Sequence, residues 1–281
     1  MSQERTRTAE PPTATGLLDA GVNVFALAVA VANVIMQLAR LPIAYGVIES
    51  KVEHGRIDRH PFKRMRTTLS YLVIALFGTD AERAVMRHEV NRSHRRVRSD
   101  ADSPVDYTAF DRELQLWVAA CLFWGLEDFH QRMHGPQPAE AREALYQAGA
   151  RLGTTLQVTE SMWPADRAAF EEYWNASLEG LSMDDTSRAF LHRLAGLAFL
   201  PAPLRLPLGS FHRFLTTGFL PPRFREELRL PWSDRRQRAF DAYVTTTARV
   251  SRALPRPVRQ FPWNLILRDA RRRIRQGRPI V

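Results

Sequence analysis

Three residues on one predicted helix and one histidine on the next carry most of the chemical signal in this chain. The helix predicted over Pro61–Gly78 sets Arg64 and Thr68 four residues apart, with Thr67 three from the arginine, so all three share a face. An Arg at the polar end of an apolar helix can reach an anionic cofactor edge, polarise bound oxygen, or pair with an acid. The helix predicted over Ala81–Arg98 puts Met86, Val90, His94 and Val97 on one stripe, with His88, Arg92 and Arg95 opposite. His94 therefore points where a core should be. A neutral imidazole facing an apolar cavity is the usual proximal ligand of haem iron. A core histidine satisfied by a backbone carbonyl fits the same pattern, and an ordinary salt bridge fits Arg64. Glu49 follows the apolar run Pro42–Ile48 and is either a base over a cofactor face or an exposed helix-end charge.

Other constellations are weaker. His54 and His60 bracket a basic turn without a carboxylate at ligand spacing. His130 and His134 are four apart on one helix, but no glutamate lies between them in the zinc-protease pattern, and Gly135-Pro136 marks a helix end where histidine is simply favourable. There is no G-x-S-x-G, phosphate-binding glycine loop or dinucleotide fingerprint. The single cysteine, Cys121, excludes an intramolecular disulfide and a Cys-rich metal site and fits a reducing, cytoplasmic setting.

The elements that must position these residues read as helices. Asp111–Met133 begins on a capping aspartate, and Pro138–Gly153 is rich in Ala, Glu and Leu. Pro164–Leu178 starts with proline in its first turn, Asp184 or Asp185 caps a helix to Leu200, and Ser233 caps one to Leu254. Alternating strands and hairpin dipeptides are not found. The expectation is a single all-α globular domain of about ten helices over residues 16–281, behind a disordered polar tail at 1–15. Leu17–Leu38 is long enough to span a bilayer, but Asp19, Asn23, Asn33 and Gln37 argue for a buried or interfacial helix.

The formal net charge is +10, carried almost wholly by arginine, with clusters at Arg83–Arg98 and Arg268–Arg278. These read as solvated helix faces or as a peripheral contact with an anionic membrane; no nucleic-acid-binding pattern accompanies them.

Several segments, in order and spacing, resemble the MpaB/latex-clearing (rubber) oxygenase catalytic-domain family. They are Met36–Ser50, Arg64–Thr79, His94–Ser99, Tyr107–Val118, Trp163–Trp174 and Leu220–Trp232, and the similarity runs from about Val34 to Arg273. The resemblance implies an all-α, globin-like core holding one haem b, whose iron is ligated by His94 of the H-x-x-V-x-G motif. It places Arg64 and Thr68 of the R-x-x-x-T motif near the haem and makes Glu49 the distal base. It implies O2 and a hydrophobic small-molecule substrate, isoprenoid or lipid-like, in a pocket lined by Phe77, Trp117, Phe123 and Trp124. Three positions depart from the family pattern. Thr67 stands where rubber-cleaving members have lysine, which argues against polyisoprene; Ser99 replaces the motif glycine; and Ala119 follows Trp117-Val118 where many relatives have histidine. A haem-binding sensor or carrier without turnover, and a basic membrane-surface protein without haem, are the alternative readings.

Overall fold

The computed structural model describes residues 16, 23–50 and 61–280. The polar tail at 1–15, His54, His60 and most of the residues before Asn23 lie outside the described residues. A 3-10 segment, Val24–Val29, leads into α1 (Ala30–Gln37) and α2 (Leu41–Ile48). Then follow α3 (Pro61–Phe77), α4 (Asp80–His94), α5 (Arg112–His134), α6 (Ala139–Gly149) and α7 (Arg151–Thr154). The rest are α8 (Arg167–Glu179), α9 (Asp185–Ala195), α10 (Ala202–Phe219), α11 (Pro222–Glu227), α12 (Asp234–Ala253), α13 (Arg256–Arg259) and α14 (Trp263–Arg275). Among the described residues no strand forms; the nearest approach is an isolated antiparallel bridge between Arg98 and Thr108. The all-α single-domain expectation holds.

Short polar side chains start the long helices, because the first backbone N–H groups of a helix need an acceptor. Asp111 accepts from Glu113 and Leu114 at 2.8 and 3.0 Å, Asp184 from Ser187 at 2.7 Å, and Ser233 from Arg236 at 3.4 Å. Thr79 and Glu82 form a reciprocal capping box at the start of α4. Caps also explain where sequence reading drifted. The helix expected from Pro164 starts at Arg167, because Asp166 takes the Ala169 N–H at 2.8 Å. The helix expected to run to Leu200 stops at Ala195, where Gly196 ends it and Leu197 turns left-handed (φ 53°). The Pro138–Gly153 run divides into α6 and α7 at Ala150.

The central element is α5, which packs against α1, α7 and α12. Trp117, Phe123, Cys121 and both alanines Ala119 and Ala120 are buried in it. The backbones of α1 and α5 approach closely at Gly125, where an added Cβ would collide with the Asn33 amide. That amide donates to Cys121 O at 2.7 Å and accepts from Gln37 at 2.7 Å. Asn23 is equally satisfied, donating to Ser251 Oγ at 2.6 Å and offering its carbonyl to the Trp263 indole at 2.9 Å. The described part of Leu17–Leu38 is thus a buried segment whose amides bond inside the protein, as expected. No single described helix is long and apolar enough to cross a membrane, and the apolar run bends by 111° between Val24–Gln37 and Leu41–Ile48.

A second, smaller core joins α3, α4 and α14 through Leu69, Val73, Ile74, Met86, Val90, Trp263 and Ala270, with Ile280 from beyond the end of α14. Its hairpin turn is tight. Gly78 donates to Ile74 O at 2.8 Å, and a Cβ on Gly78 would run into that same carbonyl. Arg271 of α14 clamps the turn by bonding both Phe77 O and Glu82. Gly78→Ala should therefore cost about 1–3 kcal/mol through forced backbone displacement. Gly180→Ala, at an open position with nothing near its Cβ, should be neutral or stabilise by up to about 1 kcal/mol. Urea melts of the two variants test the contrast, and equal midpoints would remove the turn constraint.

Candidate functional site

The hairpin registers Arg64 against His94. Arg64 lies fourteen residues before Gly78 on α3, and His94 fifteen after Thr79 on α4. At about 1.5 Å per residue both reach roughly 21–23 Å from the turn, at the same end of an antiparallel pair. Met86 and Val90 are buried, His94 and Val97 are half-buried, and His88, Arg92 and Arg95 are exposed, so the predicted stripe holds.

His94 is unusual among polar side chains here. Its Nδ1 is buried and has no hydrogen-bond partner among the described residues. Burial first, and then the Arg64 charge, push its pKa down to about 4. The imidazole is neutral at physiological pH, with a lone pair to offer. Phe110 stands edge-on to it, with ring centres 6.4 Å apart. Arg64 is exposed as a residue, yet the protein surrounding its guanidinium lowers its pKa by costing the charge hydration. Arg64 makes no ion pair among the described residues, and Thr67 and Thr68 sit half-buried one turn further along α3.

Glu49 caps the end of α2 and turns toward the loop that follows His94. Its Oε2 accepts from Ser103 Oγ at 2.8 Å and from Tyr107 Oη at 2.9 Å. Desolvation and the Glu49 carboxylate push the Tyr107 hydroxyl up to about 12, so it stays a donor. Tyr107 also bonds back to Ser99: Ser99 N donates to Tyr107 O at 2.9 Å, and Tyr107 N donates to Ser99 Oγ at 3.2 Å. Serine therefore serves where the motif has glycine, since the position does not need a positive φ. Below this loop Gly46 of α2 faces Tyr107 and Val97. Sequence reasoning missed Tyr107 and Ser103. Tyr107 opened one of the quoted segments, but its partner lies 58 residues away.

Other candidates resolve into structure. Trp117 and Phe123 do not line a pocket; both are fully buried, Trp117 stacked on Trp174 at 5.4 Å and Phe123 edge-on to Tyr146 at 5.1 Å. Ala119 packs where Gly153 of α7 comes closest, leaving no room there for a larger side chain. His130 is buried beside His134, near an ion cluster in which Glu127 pairs with Arg167 at 2.8 Å and Arg142 at 3.3 Å. Among the described residues no group of three or more His, Cys, Asp or Glu side chains is placed to hold a bare metal ion. The arginine clusters are partly neutralised in place: Arg83 with Asp80, Arg92 with Glu89, Arg271 with Glu82, and Arg272 and Arg273 with Asp269.

Residues 20–249 match the family described as ER-bound oxygenase mpaB/B'/Rubber oxygenase, catalytic domain. The chain is 50% identical over 250 residues to an uncharacterized protein of Mycobacterium tuberculosis and to one of Mycobacterium bovis, covering 89% of this chain and 98% of each relative. No solved structure shows significant similarity to it.

Four imidazoles are depressed by burial, and the two lowered furthest, His94 and His130, make stability pH-dependent. The unfolded chain takes up a proton on each near pH 6.5, whereas the folded chain does so only near 4. Their contribution is complete above 6.5 and declines as pH falls from there through 4, by at most about 1.4 kcal/mol per pH unit for each imidazole. In urea melts of the haem-free protein across that window, His94→Gln and His130→Gln should each flatten the decline. An unchanged slope in both would refute the assignment.

Proposed function

The chain belongs to the mpaB/rubber oxygenase catalytic-domain family, and from that premise we propose that it is a haem b-dependent oxygenase acting on an apolar, isoprenoid or lipid-like substrate with O2. The observation that carries the reading is the neutral imidazole of His94, its buried Nδ1 without a partner, close enough to feel the charge of an Arg64 that makes no ion pair among the described residues. A haem needs one such protein ligand, because its macrocycle supplies the others. A buried ring nitrogen without a partner costs free energy, which coordination would recover.

Bound haem b would supply the activation of O2. The chain's own residues would do the rest. His94 would hold the iron through a ring nitrogen, already deprotonated. Arg64 would pair with a carboxylate of the haem edge, a charge-assisted contact. The Thr68 hydroxyl would donate on the same face. Glu49 Oε2 is engaged by Ser103 and Tyr107, so a base role would fall to Oε1, while Oε2 fixes the loop that carries Phe110 toward His94. Thr67 in place of a lysine leaves Arg64 as the cation of this face, and this favours a smaller or different substrate than polyisoprene.

The test is the visible spectrum of protein from haem-supplemented cells. Wild type should show a Soret band that His94→Ala loses, with unchanged circular dichroism. Arg64→Gln should keep the band but release haem about tenfold more readily, the scale of one charge-assisted hydrogen bond. A folded, colourless wild type would overturn the haem reading. Haem retention without O2 uptake in the presence of a range of apolar alkenes would instead favour a carrier or sensor.

A further inference from the structure

The N-terminal half of α10 is a helix without a core. A helix that is apolar on all sides normally lies inside a protein or a membrane. Here Leu204, Leu206, Leu208 and Phe211 are all exposed, Leu206 at 71% and Leu204 at 53%. Only at Gly209 does the helix seat itself, where the glycine meets the Gly196 carbonyl and His212 bonds Ala195 O at 2.8 Å. Everything before that projects beyond the end of α9. Phe211 extends the apolar face by standing edge-on to Tyr243 at 6.0 Å, beside a shallow groove of about 420 Å³ that Tyr243 shares with Phe25 and Val250.

The charge around this face is one-sided. No Asp or Glu occurs from Thr186 to Arg225, a run that holds Arg188, Arg193, Arg205, Arg213, Arg223 and Arg225. Arg193, Arg205 and Arg213 are exposed and make no ion pair among the described residues. Arg83 and Arg92 of α4 and Arg271, Arg272 and Arg273 of α14, by contrast, already have carboxylate partners. A leucine-rich tip flanked by unneutralised arginines fits an anionic lipid surface, which takes apolar side chains below its headgroups and cations among them.

We propose that the tip of α10 is a membrane-docking element that seats this protein on anionic lipid bilayers, with Leu204, Leu206, Leu208 and Phe211 inserted and Arg205 at the headgroups. This site includes neither Arg64 nor His94 and does not depend on haem. Its test is co-sedimentation of the full chain with vesicles of equal parts phosphatidylcholine and phosphatidylglycerol, against phosphatidylcholine alone. The wild type should bind the anionic vesicles, and salt should weaken it. The double variant Leu204→Ser/Leu206→Ser should bind about tenfold or more weakly. Arg205→Gln should bind about fivefold more weakly. Leu265→Ser, at another exposed apolar position, should bind like wild type. Wild type that stays in the supernatant, or a double variant that pellets like wild type, overturns the proposal. So does light scattering that shows a dimer which the double variant alone abolishes, since the face would then belong to a second copy.

Discussion

A guanidinium and an unprotonated imidazole, set side by side at one end of an antiparallel helix pair, are the constraint from which the rest of the site follows. Neither has an acid to balance it among the described residues. Burial raises the cost of protonating His94, and the Arg64 charge raises it further. His94 is thereby kept as a donor of an electron pair rather than a cation. The pairing depends on helical register and hence on the Gly78–Thr79 turn, which the capping box and Arg271 hold in place. A shift of one residue at that turn would rotate His94 by about 100° away from its stripe.

The loop after His94 is fixed from the other side. Val97 and Ser99 form a short ladder with Tyr107 and Ala109, and Glu49 ties Tyr107 to the end of α2. The same ladder brings Phe110 against the imidazole edge. Helix α2 reaches this loop because it bends sharply away from the preceding apolar segment, and because Gly46 admits the Tyr107 ring. Asp184, the cap of α9, adds a further tether by accepting from Tyr45 Oη at 2.6 Å. The orientation of His94 thus rests on α2, α4, α9 and the loop jointly.

The stripe of Met86, Val90 and His94 and the shared face of Arg64 and Thr68 were legible in the sequence, since helical periodicity is local. So were the caps at Asp111, Asp184 and Ser233. The partners of Glu49 were not, because its bonds span 54 and 58 residues and no spacing encodes them. Trp117 and Phe123 show the same limit. Their apolar character was clear, but only tertiary packing distinguishes a pocket wall from a close-packed stack with Trp174 and Tyr146. For α10 no local spacing distinguishes a buried leucine from an exposed one, and only the fold leaves its leucines uncovered.

The distribution of charge links these observations. A net charge of +10 says little while most arginines of α4 and α14 are matched by nearby carboxylates. What matters is where positive charge is left unmatched, because there an arriving anion gains attraction without first breaking an ion pair. Two such places among the described residues differ in their surroundings. One is Arg64, whose charge reaches the neutral His94 imidazole. The other is the acid-free surface around Arg193, Arg205 and Arg213, broad and bordered by exposed leucines, where an extended anionic surface fits. Enclosure separates the two. Surrounding protein lowers the pKa of the Arg64 guanidinium, while Arg193, Arg205 and Arg213 are open to solvent.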